Sequence, residues 1–287
     1  MCRLIGANDT RTSMLIDQRD LAAPVISGKT VSTSDSLVSI WREKLDDSVD
    51  GKGLLFHRDV PEAHRWAREP TRILTGRDFV RVNHLRFNLL LTGQLKFRMC
   101  RQANIFCPVC PNRPHTLGHI LQVCPRSHGP RIQRHNKICE FVQKKLLEKG
   151  YEVLWEPHIK TGRGFLKPDL MYWKKEDPDI VRVLDIGITS DSVRPSVPYL
   201  EKVKKYDIDS VRKFAQEVSA LDSVWVGALI INWRGAIALD SKNFLKGVID
   251  SRDWAILSLR TLQYGVYSYD FWNKTTCTVE PVNEVDW

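Results

Sequence analysis

Two aspartates in this chain sit where carboxylates are expensive. Asp169 closes the triplet Lys167-Pro168-Asp169, and Asp185 follows after fifteen intervening residues inside the apolar run Val183-Leu184-Asp185-Ile186-Gly187-Ile188. β-branched and aromatic residues surround both (Leu170, Met171, Tyr172, Trp173; Ile180, Val181, Val183), and the turn residues Glu176-Asp177-Pro178-Asp179 lie between, so each half reads as a strand. A hairpin of the two sets the carboxylates face to face. Buried acids in contact are costly unless a cation compensates them, and a divalent metal is the natural compensation.

A second cluster has metal-ligand spacing. Cys107-Pro108-Val109-Cys110, His119 and Cys124 form Cys-x2-Cys-x8-His-x4-Cys. The short gap lets one turn present two thiolates, while His119 and Cys124 lie about one helical turn apart, which completes a tetrahedral set. A closed four-ligand site leaves no position for chemistry, so the zinc is expected to be structural. His115 is the alternative to His119, though its eight-residue gap to Cys124 loses helical register. An ordinary reduced core is the bland alternative, against which Pro108, Pro111 and Pro114 break regular structure around the cysteines.

The elements that must hold these groups follow from periodicity. The 287 residues, 43% hydrophobic and 27% charged, suffice for a sizeable core. Residues 1–37 read as a poorly ordered lead-in, and their Gly28-Lys29-Thr30 lacks the first glycine of a phosphate-binding loop, Ala23 standing in its place. Residues 38–103 read as a helical linker with Phe79, Val82, Leu85 and Leu89 at helical spacing; its Asp46-Asp47 pair belongs to a charged helix, not to a polymerase palm. The knuckle occupies 104–126. From 127 to 287 the pattern is α/β: a basic helix over 131–149 with Ile132, Ile138, Val142 and Leu146 inward, strands at 151–159, around Asp169 and around Asp185, a helix over 199–218, a strand over 224–231, and a tail of helices and aromatics (Tyr264, Tyr267, Tyr269, Phe271, Trp272) that covers the sheet. The order is αβββαβ.

Charge favours an anionic partner. The net charge is +9, and between Arg65 and Arg101 nine basic residues face two acids, interleaved with Trp66, Phe79, Phe87 and Phe97. That stretch reads either as a phosphate-tracking surface, with Arg86 and Arg101 as contacts, or as solvated arginines around an aromatic core. Arg134 and His135, opening the first helix of the α/β part, are further candidates for nucleic-acid contact, with packing or capping as the alternative. An 18-residue apolar span and a secretory leader are both missing from the sequence, and seven cysteines, an odd count, argue against a disulfide framework; the expectation is an intracellular protein.

The αβββαβ order with Pro168-Asp169 and Asp185 resembles the PD-(D/E)xK nuclease core of restriction enzymes. The fuller set is similar to the C-terminal part of the polyprotein of site-specific non-LTR retrotransposons of the R-two clade: Leu85-Arg86, the Cys-x2-Cys-x8-His-x4-Cys knuckle, Arg134-His135-Asn136, Lys167-Pro168-Asp169 with Asp185, and Lys202-Val203-Lys204-Lys205-Tyr206. It covers residues from about 38 to the end. The restriction-enzyme lysine position holds Gly187; the retrotransposon pattern displaces that lysine to the next helix as Lys-x3-Tyr, which Lys202 and Tyr206 fit, with Lys204 and Lys205 as rivals. The resemblance implies a nuclear, Mg²⁺- or Mn²⁺-dependent DNA endonuclease. In it Asp169 and Asp185 hold the metal, Lys202 and Tyr206 complete the catalytic set, and one nick primes reverse transcription. Implied partners are target DNA in a ribosomal RNA gene, the element RNA and a reverse transcriptase. The polymerase motifs are missing from this sequence, which implies a C-terminal fragment or a degraded element. A module that only binds DNA or RNA through the knuckle is the competing class.

Overall fold

A computed structural model of the chain describes residues 25–26, 28–30, 33–68, 74–101, 104–162, 164–174 and 180–277. The expected lead-in up to residue 24 and the turn at 176–179 lie outside these residues. The chain forms two units, 1–47 and 48–287.

In the first unit, β1 (Val25–Ile26) pairs antiparallel with β2 (Lys29–Thr30), and α1 spans Ser34–Asp47. The helix begins four residues before the expected Val38. Thr33 and Ser36 cap it reciprocally: the Ser36 amide donates to Thr33 Oγ1 and the Thr33 amide to Ser36 Oγ, both at 3.1 Å. Asp46 and Asp47 stand in its last turn, as expected of a charged helix.

The second unit opens with two 3-10 segments, Lys52–Arg58 and Pro61–Ala67, then α2 (Gly76–Arg86) and α3 (Gly93–Cys100). Val82 and Leu85 are buried as the helical spacing requires, whereas Phe79 and Leu89 are exposed. The knuckle follows, with α4 (Leu117–Gln122), and then α5 (His128–Glu148). Ile138, Val142 and Leu146 turn inward from α5, but Ile132 does not; it is exposed. Gly150, at φ +78°, ends the helix: its amide donates to Leu147 O and that of Tyr151 to Leu146 O, which satisfies two of the last carbonyls.

The expected strand over 151–159 is interrupted at Glu156, whose φ is +46°, giving β3 (Glu152–Trp155) and β4 (Ile159–Thr161). β4 turns back through Gly164 into β5 (Gly164–Leu166) as a separate small hairpin. β6 (Leu170–Trp173), β7 (Ile180–Thr189) and β8 (Ser223–Asn232) complete a four-stranded sheet in the order β3-β6-β7-β8, antiparallel except for the parallel β7–β8 pair. The single helix expected over 199–218 is two, α6 (Ser196–Tyr206) and α7 (Asp209–Ser219), broken where Asp207 and an extended Ile208 leave helical geometry. Aspartate and β-branched isoleucine are poor helix formers, and Arg212 Nε holds the Asp207 carboxylate at 2.7 Å across the break.

After β8 come α8 (Leu239–Phe244) and the 27-residue α9 (Ser251–Cys277). Trp254 and Leu257 of α9 join the core formed by α5 and one face of the sheet. Farther along, Leu259, Leu262, Tyr269 and Trp272 leave the sheet and pack with Trp66, Leu85, Leu117, Ile120 and Cys124. The aromatic tail expected to cover the sheet therefore binds the helical linker and the knuckle into one core, and Tyr267 stays exposed. Each large apolar side chain buried there contributes about 1.5–3 kcal/mol, so knuckle and α9 support each other.

Candidate active site and metal centre

β6 and β7 pair with Leu170 opposite Leu184, and one further step in that register sets Asp169 opposite Asp185. Asp169 lies just before β6, at the point where the ladder ends. The Ile186 amide there has no main-chain acceptor in β6; it donates to Asp169 Oδ2 at 2.6 Å. Asp185 is buried near the centre of the sheet, and its carboxyl is pushed up, first by burial and then by the Asp169 charge. Lys202 opposes this shift through an ion pair of its Nζ with Asp185 Oδ2.

Lys202 approaches from α6 over Gly187, where a β-carbon would lie 3.7 Å from Lys202 Cε and 3.0 Å from Ile230 Cδ1. The amine thus passes beside the position from which a lysine two residues after Asp185 would project. Of the rival lysines, Lys205 Nζ donates to the Tyr206 hydroxyl at 3.0 Å. Tyr206 is buried, and its hydroxyl donates to Lys167 O at 3.0 Å, tying α6 to the Lys167-Pro168-Asp169 turn. Burial and the nearby carboxylates raise the phenol, which stays protonated.

From α5, His135 Nε2 comes within 3.3 Å of Asp169 Oδ2 and 3.1 Å of Ile186 O. Burial depresses this ring, but its bonds to Asp169 and to the Cys139 sulfur outweigh that and raise it to about 11. His135 therefore faces the acidic pair and is half-buried beside it. Arg134 departs further from its expected role: it is fully buried and donates from Nη2 to Leu121 O at 2.9 Å, closing the end of α4. Phosphate cannot reach it there.

In the knuckle, Cys107, Cys110, His119 and Cys124 each bring a ligand atom within 4.8 Å of the other three. The loop is tight: the Cys107 amide donates to Arg113 O and that of Arg113 to Cys110 O, with Asn112 at φ +66° between. Thr116 caps α4 by accepting from the His119 amide, which points the ring at the sulfurs. The fit to a tetrahedral thiophilic ion is good. Cys110 and Cys124 Sγ are 3.9 Å apart, His119 Nε2 is buried without a hydrogen-bond partner, and burial with the neighbouring sulfurs raises the Cys110 thiol to about 11. Bringing three thiolates this close together calls for a cation. His115 is not in the set: its Nδ1 accepts from the Gly93 amide at 2.9 Å and its ring lies against Trp272. The Trp272 indole donates to Cys124 Sγ at 3.3 Å, a supporting contact that 148 residues of separation hide from sequence reading.

No protein-family model matches the chain. It is similar to the retrovirus-related Pol polyprotein from type-2 retrotransposable element R2DM of Drosophila melanogaster, with 30% identity over 226 residues, 78% of this chain and 21% of the relative. It is also similar to those from type-1 retrotransposable elements R2 of Nasonia vitripennis (30% over 234 residues, 80% of this chain and 22% of the relative) and Popillia japonica (32% over 182 residues, 61% and 24%). Its homologues are R2 Pol polyproteins. The chain spans about one fifth of the length of the first two R2 relatives.

Two arginines of the basic stretch in this R2 homologue are paired with acids. Arg81 Nη1 donates to Asp270 Oδ2 and Arg98 Nη1 to Asp50 Oδ2, each at 2.7 Å. Arg86 is half-buried, its guanidinium 5.4 Å from the Trp66 ring centre and 3.5 Å from His57 Nδ1, and burial lowers it to about 10. Of the two arginines singled out as phosphate contacts, Arg101 alone is exposed, at a left-handed φ of +60° that ends α3. Sequence reading also passed over Cys139, one helical turn beyond His135 and 3.6 Å from its Nδ1; the i, i+4 spacing of histidine and cysteine on one helix was the available signal.

Proposed function

We propose that this chain is the DNA-cleaving part of a retrotransposon protein, a divalent-metal-dependent endonuclease that nicks target DNA to prime reverse transcription. The observation that carries the proposal is the placement of Asp169 opposite Asp185 with Lys202 on the inner carboxylate. Two acids and a lysine converging at a sheet end serve metal-assisted phosphodiester chemistry. A module that only binds nucleic acid has no use for a buried acid whose ionised form is penalised.

Mg²⁺ or Mn²⁺ held by oxygens of Asp169 and Asp185 would supply Lewis acidity toward the phosphate and a more acidic bound water. The protein's own groups do the rest. Lys202 Nζ, fixed by Asp185, offers positive charge where negative charge accumulates on the phosphate. Tyr206 is a positioning residue: its hydroxyl faces both Lys167 O and the Asp185 carboxyl, and its effect is to hold the Asp169 turn and Asp185 against α6. His135 and the Ile186 amide fix the Asp169 carboxylate from the other side.

The knuckle, in this reading, holds one structural Zn²⁺. The reading brings with it a reverse transcriptase and an element RNA as partners, a ribosomal RNA gene as target, and the nucleus as the place of action. The test is nicking of a supercoiled plasmid carrying a ribosomal RNA gene, with the polymerase part of an R2 relative added in trans. Conversion to open circle in Mg²⁺, abolished by chelator and by Asp185→Asn, supports the proposal. Retardation of the plasmid with no nicking under any divalent metal would replace it with a binding module.

A further inference from the structure

Asp169 also belongs to a second set of ligands, whose other members, His135 and Cys139, hold no metal in the proposed reaction. His135, Cys139 and Asp169 each present a ligand atom within 4.8 Å of the other two. His135 Nε2 stands 3.3 Å from Asp169 Oδ2 and 3.8 Å from Cys139 Sγ. A tetrahedral ion with bonds of about 2.0–2.3 Å has edges of roughly 3.3–3.7 Å between its ligands, so these two edges are already near the required length. Magnesium takes oxygen ligands, whereas an imidazole, a thiolate and one carboxylate form a donor set for zinc.

We propose that His135, Cys139 and Asp169 form a second site, for Zn²⁺, that inhibits the enzyme by taking Asp169 away from the catalytic metal. The regulatory half of this rests on the endonuclease reading; the binding half does not. Cys139 is buried and hydrogen-bonded to the ring, and zinc binding releases two protons to solvent, one from the thiol and the one that His135 Nε2 donates to Ile186 O, as the sulfur and nitrogen lone pairs form the Zn–S and Zn–N bonds. Three protein ligands leave a fourth position for water or for a phosphate oxygen. His135 and Cys139 share one face of α5, so the site needs only the approach of one helix face to the end of one strand. Asp185 is no part of it; its Oδ2 is engaged by Lys202. The consequence is a competition: zinc and the catalytic metal cannot both have Asp169 in full.

Cobalt titration of the full chain tests the binding half, because thiolate-to-Co²⁺ charge-transfer absorption reports sulfur ligands. The wild type is expected to show such absorption for two Co²⁺ per chain. Cys139→Ala, Cys139→Ser and His135→Gln are expected to keep the knuckle's band and lose the second, with Asp185→Asn unchanged. A single thiolate-bound equivalent in the wild type, or a second one that survives in folded Cys139→Ala and Cys139→Ser, would overturn the site. In the nicking assay, Cys139→Ala should leave the Mg²⁺-supported rate unchanged and raise the zinc concentration for half-inhibition at least tenfold. Equal zinc sensitivity of the two proteins overturns the inhibition. Absence of nicking in the wild type would count against the endonuclease reading, and with it the inhibition, while leaving the cobalt result to stand by itself.

Discussion

Replacing Asp169 by alanine should destabilise the metal-free protein, although it removes a charge that repels Asp185. Repulsion taken alone predicts a variant as stable as the wild type or more so. The structure adds an opposing effect: Asp169 Oδ2 accepts the Ile186 amide at 2.6 Å just past the end of the β6–β7 ladder. Alanine leaves that N–H orphaned in the sheet and removes the carboxylate facing His135. A hydrogen bond to a charged group contributes about 1.5–3 kcal/mol, and an orphaned buried donor adds to the loss. The Asp169–Asp185 repulsion returns part of this, so the net cost should be about 1–3 kcal/mol. For a unit of this size that lowers Tm by roughly 2–10 °C. The Asp169→Asn variant keeps one side-chain oxygen for the Ile186 amide and should fall between alanine and the wild type. Thermal or urea unfolding in chelator at pH 7 reads all three. If Asp169→Ala unfolds at or above the wild-type midpoint, the Ile186 contact contributes nothing and repulsion governs the pair.

Other expectations follow from the same geometry. Removing zinc, by chelation or by Cys107→Ser, should lower hydrogen-exchange protection in the second half of α9 as well as in the knuckle, because Trp272 and Cys124 share a core; loss confined to 104–125 would refute that coupling. Arg101→Ala should flatten the salt dependence of DNA binding by about one unit of log–log slope, while Arg86→Ala should reduce stability instead; equal effects of the two on the slope would contradict the burial of Arg86. His64, held down to about 3 by burial first and then by the Arg86 charge, binds its proton more weakly folded than unfolded, so stability should be lost as pH falls from about 6.5 toward 3, at up to about 1.4 kcal/mol per pH unit for this group. His64→Gln should flatten that loss in acid unfolding curves. Lys202→Ala should lower single-turnover nicking about 10²-fold with DNA binding intact; a change in binding alone would make Lys202 a phosphate anchor.

The features written locally in the chain were legible in it. The Cys-x2-Cys spacing brings two ligands together within one turn, and the apolar runs around Asp169 and Asp185 define strands whose pairing sets those residues opposite each other. The displaced lysine was offered by the resemblance alone: Gly187 shows that the usual position is empty, but the basic helix offers Lys202, Lys204 and Lys205 alike in sequence. What stayed hidden depends on contacts across the chain. Nothing near Arg134 in sequence shows that it closes α4 instead of meeting phosphate, and a basic helix start reads alike in both cases. His135 meets Ile186 O across 51 residues, and Trp272 meets Cys124 across 148. The break between α6 and α7 was written in Asp207-Ile208, but the apolar period continues through it and masks the interruption.

In the proposed reaction Asp169 and Asp185 work as one cation site for strand cleavage. Single-turnover nicking of a plasmid carrying the ribosomal RNA gene, across a Mg²⁺ titration with the polymerase part of an R2 relative supplied, tests it most directly. The wild-type rate should rise with Mg²⁺ and saturate, and the rates for Asp169→Asn and Asp185→Asn should be at least ~10³-fold lower at every concentration, in proteins that remain folded and bind the DNA. Wild-type and variant rates that coincide across the titration would contradict it.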